Sequence, residues 1–200
     1  MAEGRVAVAL VHWPVLNRLG ESSATAITTT DIHDFARSCA MFDVAPVYMV
    51  HPSSAMRQMV GEIAGYWQQG SGQQRNPGRG EVLESVRAVA TLDELAADPD
   101  VRLWYTSAKP PVVECAPIAA LGQQPGVDLI VFGTGWGLDF ARLPEPHGWL
   151  SPIEGVGRVR HLSVRAALAI YLDRLRQPRQ SQASGEPFAV RHAPGPILEA

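Results

Sequence analysis

Two stretches of the chain group residues that can do chemistry. In TDIHDFARSC, residues 30–39, the side chains of Asp31, His33, Asp34 and Arg37 fall within two turns of one amphipathic segment. Carboxylates and imidazoles move protons, and a guanidinium grips phosphate in a planar fork. Asp34 and Arg37 stand at i, i+3 and can touch on a helix. In VDLIVFGTGWGLDF, residues 127–140, an apolar run empties into the alternating glycines Gly133, Gly135 and Gly137, with Trp136 between the last two. Glycine lets backbone approach a ligand closely. The loop is neither a Walker sequence, which needs a lysine, nor a GxGxxG fingerprint, which follows a first strand. Spacing alone leaves two readings for each stretch. The glycine loop is a structural turn or a nucleotide-like binding loop, and the 30–39 segment is a capped, solvated helix start or an acid–base cluster.

The elements that must position these residues alternate in type. RVAVALV (5–11), APVYMV (45–50), VRLWYTSAK (101–109) and VDLIVF (127–132) read as strands, with a further short strand, AVA, inside the mixed segment 81–100. TTTDIHDFARSCAMF reads as a helix capped by Thr30 or Asp31, with Ile32, Phe35, Ala36 and Cys39 on its inner face. PSSAMRQMVGEIAGYWQQG and LSVRAALAIYLDRLR (162–176) read as two more helices, and VVECAPIAALGQQ (112–124) as one that Pro117 breaks or kinks. SGQQRNPGRG (71–80) reads as a loop whose Arg75 and Arg79 could meet phosphates, and GWLSPI as a short extended piece. This order predicts an α/β fold, a mostly parallel sheet flanked by helices. Residues 1–177 read as one domain and 178–200, rich in Pro, Gln, Ser and Gly, as a poorly ordered tail.

Composition narrows the function. A net charge of −3 does not advertise a polyanion partner for the molecule as a whole, so any nucleic-acid site must be a local patch. The cations are nearly all arginine, Lys109 being the one lysine. Cys39 and Cys115 read as buried, inert thiols, and His12 and His161 as hydrogen-bonded structure. No His/Cys/Asp cluster has ligand spacing, so no metal is expected. No apolar run reaches membrane-spanning length, and Val6–Val11 is too short for a signal-peptide core, so a cytoplasmic protein is expected.

Three loops follow strand ends: YTSAK (105–109), GTGWGL (133–138) and SPIEGVGRVRHLS (151–163). In an open parallel sheet, ligands bind beyond the carboxyl ends of the strands. LIVFGTGWGL followed by LSPI and HLSVRAALAIYLDRL, with Asp31 and Arg37 in the earlier segment, resembles the motif set of the SPOUT (SpoU–TrmD) S-adenosylmethionine-dependent RNA methyltransferases. The likeness spans residues 6–176. It is nearest to a small bacterial branch of such enzymes that is similar to a C-terminal domain of tRNA (guanine-N1)-methyltransferase.

The resemblance implies a C-terminal trefoil knot, a bent S-adenosylmethionine held by the three loops, and a homodimer packed across the knot. It implies methyl transfer to a base or ribose of tRNA or rRNA. Cofactor contacts then fall to Thr106, Ser107, Gly133, Gly135, Trp136, Gly137, Leu138, Ile153, Leu162 and Ser163. Acceptor chemistry falls to Arg37, with Asp31, His33 and Asp34 beside it, and the dimer face to Leu162, Ala166, Ala169, Ile170 and Leu172. The chain departs from the family pattern at Ser163, where many relatives have Asn, at Trp136, where they have Glu, and at His33, where they have Gly. Those departures leave open an alternative, a non-catalytic RNA- or nucleotide-binding module on the same fold.

Overall fold

A computed structural model describes residues 4–177; the 178–200 segment lies outside the described residues. Two runs dominate the interior. β1 (Arg5–Val11) buries Ala7 to Val11 completely, and the late strand VDLIVFG is nearly as buried. Strands covered on both faces read as continuous apolar runs, which is why both were visible in the sequence. After β1 come two short pieces, β2 (Val15–Leu16) and β3 (Ser22–Ser23), paired antiparallel to each other. Then follow α1 (Thr29–Met41), β4 (Val47–Val50), α2 (Ser54–Gln69), α3 (Ser71–Arg75), α4 (Pro77–Leu83), β5 (Val86–Val89), α5 (Asp93–Ala96), β6 (Val101–Tyr105), β7 (Val127–Gly133), β8 (Gly148–Trp149) and α6 (Val164–Arg176).

The main sheet has six strands in the order β5-β4-β1-β7-β6-β8, and every pairing is parallel. All six carboxyl ends therefore lie along one edge. Side-chain alternation divides the interior in two. Val8, Leu10, Val47, Met49, Ile130 and Phe132 meet α1, α2 and α6 on one face. Ala7, Ala9, Val11, Leu103, Tyr105 and Val131 face the other way, under Leu92, Phe140 and Trp149. Leu172 is fully buried in the first of these layers, so it belongs to the core; Ala169 is exposed and Ala166 and Ile170 only partly covered.

Three local expectations are corrected. α1 is capped by Thr28, not by Thr30 or Asp31: the Thr28 side chain accepts the Asp31 amide while the Asp31 carboxylate reaches back to the Thr28 amide. The 71–80 segment is not a loop but most of α3 and α4, with Asn76 capping α4 through the Arg79 amide and Pro77 in its first turn. The glycines there serve packing. A Cβ on Gly80 would lie 2.6 Å from the Trp67 carbonyl oxygen, so glycine lets α4 press against α2. The 112–124 segment forms only a short 3-10 turn, Ile118–Ala120, after Pro117. It is held from outside, by Ala116 N–H donating to Trp149 O and Ser151 N–H to Ala116 O. Strand β5 begins two residues before the expected AVA.

One buried charge organises the β6–β7 region. Asp128 accepts from Arg102 Nε at 2.7 Å, Trp104 Nε1 at 2.8 Å and the Gly122 amide at 2.7 Å. Burial alone would raise its pKa, but the Arg102 guanidinium and the two further donors outweigh it and hold the carboxyl below the ordinary value. Asparagine in its place removes the counter-charge of Arg102 and, if its oxygen keeps the Arg102 and Trp104 donors, turns an NH2 group toward the Gly122 amide. We expect Asp128→Asn to cost about 3 kcal/mol, as a lower urea midpoint at unchanged slope. The wild-type share of that stability is present at neutral pH and is lost only in acid, as the pH falls below the normal aspartate range.

Candidate functional site

The glycine loop leaves β7 and folds straight onto the segment that follows β1. Val11 lies opposite Gly133 in the ladder, and Thr134 N–H donates to Val11 O at 3.1 Å. Leu16 N–H donates to Gly137 O at 2.8 Å, Trp136 N–H to Leu16 O at 2.9 Å and Asp139 N–H to Pro14 O at 3.2 Å. Two of the glycines are explained by this docking. A Cβ on Gly133 would lie 2.8 Å from Leu138 N, and one on Gly135, where φ is +60°, would lie 2.8 Å from Leu16 O. Gly137 differs: its φ of +106° favours glycine, yet nothing lies within 4 Å of where a Cβ would stand. Structural turn and open binding edge thus coexist in one loop, and Leu138 is buried beneath it.

A hydrogen-bonded chain locks this junction from inside. His12 Nδ1 lies 3.0 Å from Thr25 Oγ1, which bonds Thr134 Oγ1, and Thr134 Oγ1 donates to Val11 O. His12 is fully buried, and its Nε2 has no partner. Sequence reasoning placed His12 as structural but could not see this chain, because Thr25 and Thr134 are 109 positions apart.

The other two loops leave the neighbouring strands β6 and β8 at the same edge. Thr106 donates its hydroxyl to Val131 O at 2.9 Å, so that side chain is committed to β7. Ser107 Oγ accepts the Lys109 amide, which leaves its hydroxyl hydrogen free to donate. After β8, Ile153 packs against the core while residues 154–163 are exposed, Leu162 being 49% accessible. Ser163 caps α6 by accepting the Ala166 amide at 3.3 Å. A serine there serves the cap that an asparagine would also serve. Trp136 is 66% accessible beside the glycine edge.

α1 carries the polar cluster, and the structure separates its members. Asp31 is engaged in the capping box. Asp34 turns toward α6 and pairs with Arg165 at 3.8 Å, which ties α1 to the helix that follows the third loop. It does not pair with Arg37. His33 and Arg37 lie along the other flank, facing α4, and His33 meets Trp67 of α2 edge-on at 6.0 Å between centroids. Burial first, then Arg79 and Arg37, hold the His33 pKa below its usual value, with Asp34 opposing. Arg37 is exposed, on the polar side of the helix as its spacing required. Cys39 is buried and its thiol pushed up to about 12 by desolvation, so it is inert. Among the described residues no group of three or more His, Cys, Asp or Glu is arranged to hold a metal ion, and no helix is long and apolar enough to cross a membrane.

The parallel sheet flanked by helices, with the glycine loop at its carboxyl edge, defines an open α/β protein. The profile of the SAM-dependent RNA methyltransferase family matches residues 5–177, and the chain belongs to that family; its cofactor is S-adenosylmethionine. An uncharacterized protein of Aquifex aeolicus is 36% identical over 88% of this chain and 90% of its own length. A tRNA (guanine-N(1)-)-methyltransferase of Oleidesulfovibrio alaskensis is 34% identical over 84% of this chain, which spans 41% of that longer relative. In fold the chain is similar to the SpoU methyltransferase AviRb of Streptomyces viridochromogenes, solved with AdoMet, with a TM-score of 0.55 at 14% identity over 88% of this chain and 58% of that one.

His12 gives the junction a pH signature. Burial, reinforced by His51 and opposed by Asp31, lowers its pKa to about 4. The unfolded chain takes up that proton near 6.5, so the stability of the neutral folded form is complete above 6.5. It drains away as the pH falls from 6.5 toward 4, by up to about 3 kcal/mol. Urea midpoints should therefore drop between about pH 7 and pH 5, and His12→Gln should flatten that drop. An equally steep fall in the variant would assign the acid sensitivity to other groups.

Proposed function

We propose that the chain transfers the S-adenosylmethionine methyl group to a base or ribose of tRNA or rRNA, with the three carboxyl-edge loops as the cofactor cradle. The observation that carries this reading is the Asp34–Arg165 pair. It joins the polar helix to the residue two places beyond Ser163 and so sets Asp34 beside the end of the third loop, while His33 and Arg37 lie on the flank toward α4. The open edge at Gly137 and the uncovered apolar surfaces of Trp136 and Leu162 fit a flat purine and its hydrocarbon chain. Ser107, Gly133, Gly135, Gly137, Leu138, Ile153 and Ser163 would hold the cofactor largely through backbone groups, with Thr106 supporting the wall through Val131.

S-adenosylmethionine supplies an already activated methyl group for in-line displacement. The chain's own residues must align the acceptor, exclude water and remove a proton. The Arg37 guanidinium carries N–H donors and no acceptor, so its part is to hold a phosphate or the acceptor. His33, on the same flank, is the group beside it able to take a proton, and Asp34 is the one turned toward α6; Asp31 acts through the cap that sets the start of α1.

The knot and the dimer belong to the same proposal. Residues 148–151 run between β6 and the 115–117 segment. Leu150 N–H bonds Tyr105 O on one side and Trp149 O accepts Ala116 N–H on the other, as a strand threaded through the 106–126 loop would. Val113, Val156 and Val159 expose further apolar surface on the loops of this one edge, and a second copy of the chain would cover them. Light scattering should report a dimer at micromolar concentration, and a monomer would count against the assembly.

Mass spectrometry of tRNA and rRNA nucleosides from a deletion strain should show one methylated nucleoside missing and restored by the gene; an unchanged profile favours the non-catalytic binder. Arg37→Ala should keep S-adenosylmethionine affinity and stability within about 0.5 kcal/mol, because the side chain is exposed. Methyl transfer should slow at least about 100-fold, and lysine should rescue it poorly. Normal turnover would move the acceptor assignment to His33 or Asp34.

A further inference from the structure

A cavity of about 160 Å³ opens between α1 and α4, lined by His33, Arg37, Asn76, Gly78, Arg79 and Val82. Two of these residues are arginines and none is acidic. Among the described residues the ion pairs are Arg102–Asp128, Arg142–Asp139 and Arg165–Asp34, so neither cavity arginine has a carboxylate partner. Arg79 is held in place from behind, its guanidinium carbon 4.4 Å from the Trp67 ring centroid. Stacking uses the face of a guanidinium and leaves its in-plane N–H groups free to donate. Gly80 makes this possible, since the close approach of α4 to the Trp67 carbonyl admits no side chain. Two like charges converging on one concavity repel, and an anion between them would relieve that cost. The lowered pKa of His33, to which both arginines contribute after burial, registers the same positive potential.

We propose that this cavity binds a backbone phosphate of the substrate RNA, so that the start of α4, with Arg37 of α1, grips the strand. The inference rests on the RNA methyltransferase reading and adds where the RNA is held. A phosphodiester fits better than a small free anion because the rim residues Arg37, Asn76 and Gly78 are exposed, which leaves room for a chain to run across. α1 then serves both tasks, with Asp34 turned to α6 and His33 and Arg37 turned to α4.

The test is binding of bulk tRNA and of rRNA fragments, followed by fluorescence anisotropy at several salt concentrations, with S-adenosylmethionine affinity measured in parallel by calorimetry. Arg79→Gln should weaken RNA binding about tenfold at low salt and reduce the salt slope by about one, with cofactor affinity unchanged. Gly78→Glu is the second variant. A Cβ there meets only Asn76 Oδ1, at 3.8 Å, and an acidic residue suits the first turn of a helix, so folding should be unharmed. Its carboxylate would occupy the cavity and should lower RNA affinity at least as much, with the thermal midpoint kept. Wild-type RNA affinity and salt slope in both variants, or in folded Gly78→Glu alone should Arg79→Gln unfold, would overturn the phosphate site and leave the methyltransferase reading intact. A wild-type chain that binds S-adenosylmethionine but no RNA would overturn both. Competition by millimolar inorganic phosphate that is equal in wild type and variants would also overturn the site.

Discussion

The pairing of β1 with β7 is the constraint on which the rest depends. Parallel neighbours end at the same edge, and the register sets Val11 against Gly133. Residues that follow position 11 therefore meet residues that follow position 133, although more than a hundred positions separate them. The glycine loop docks on Pro14 and Leu16, and the His12–Thr25–Thr134 chain closes beneath it. This shared junction accounts for the late position of the loop. The loop lies where β7, late in sequence, ends beside β1, so its docking surface comes from the first strand's own continuation.

In α1, burial and exposed polar side chains use different faces. Ile32, Phe35, Ala36 and Cys39 seat it on the sheet, and the Thr28–Asp31 box fixes its start, an arrangement worth about 1 kcal/mol. The Asp34–Arg165 pair is half exposed at 3.8 Å and contributes less than about 1 kcal/mol to stability. Its value lies in contact: with the buried face setting the helix's orientation, it ties α1 to the start of α6. The remaining face is left for His33 and Arg37, against α4.

How much of this was legible in the sequence follows from the range of each interaction. β1, β7, α1 and α6 were readable because burial on one or both faces writes itself as local periodicity. The 71–80 segment was misread because its glycines and its one proline looked like loop chemistry. Gly72 and Gly80 are small because Tyr66 and Trp67 lie against them, a tertiary reason that leaves no local period. The 112–124 segment was misread for the opposite cause. Its alanines and leucine favour a helix, but its backbone groups bond to residues 149 and 151 instead. The glycine spacing identified the loop but not the division of labour within it, since only the fold shows that Gly133 and Gly135 meet the chain itself while Gly137 faces open space. The family resemblance supplied the cofactor; nothing in the sequence paired Asp34 with Arg165 rather than with Arg37.

The arginines show how a chain of net charge −3 can present a site for a polyanion. At physiological ionic strength charges beyond about 8 Å are largely screened, so the overall sign matters less than what lines a given surface. A compositional preference for arginine would explain their number but not their placement. Several are committed to the fold as forks: Arg57 holds the carbonyls of His51 and Pro52, Arg102 holds Asp128 and the Pro125 carbonyl, and Arg176 holds those of Phe42 and Asp43. Each satisfies acceptors that would otherwise be left at element ends. Arg37 and Arg79 share a concavity that offers no carboxylate, and one of them is braced on an indole ring. Lysine in that place would keep the charge but lose the flat face that stacks and the in-plane donors that remain. The same side-chain geometry that makes arginine a structural clamp elsewhere in the molecule here leaves the donor side of the clamp open.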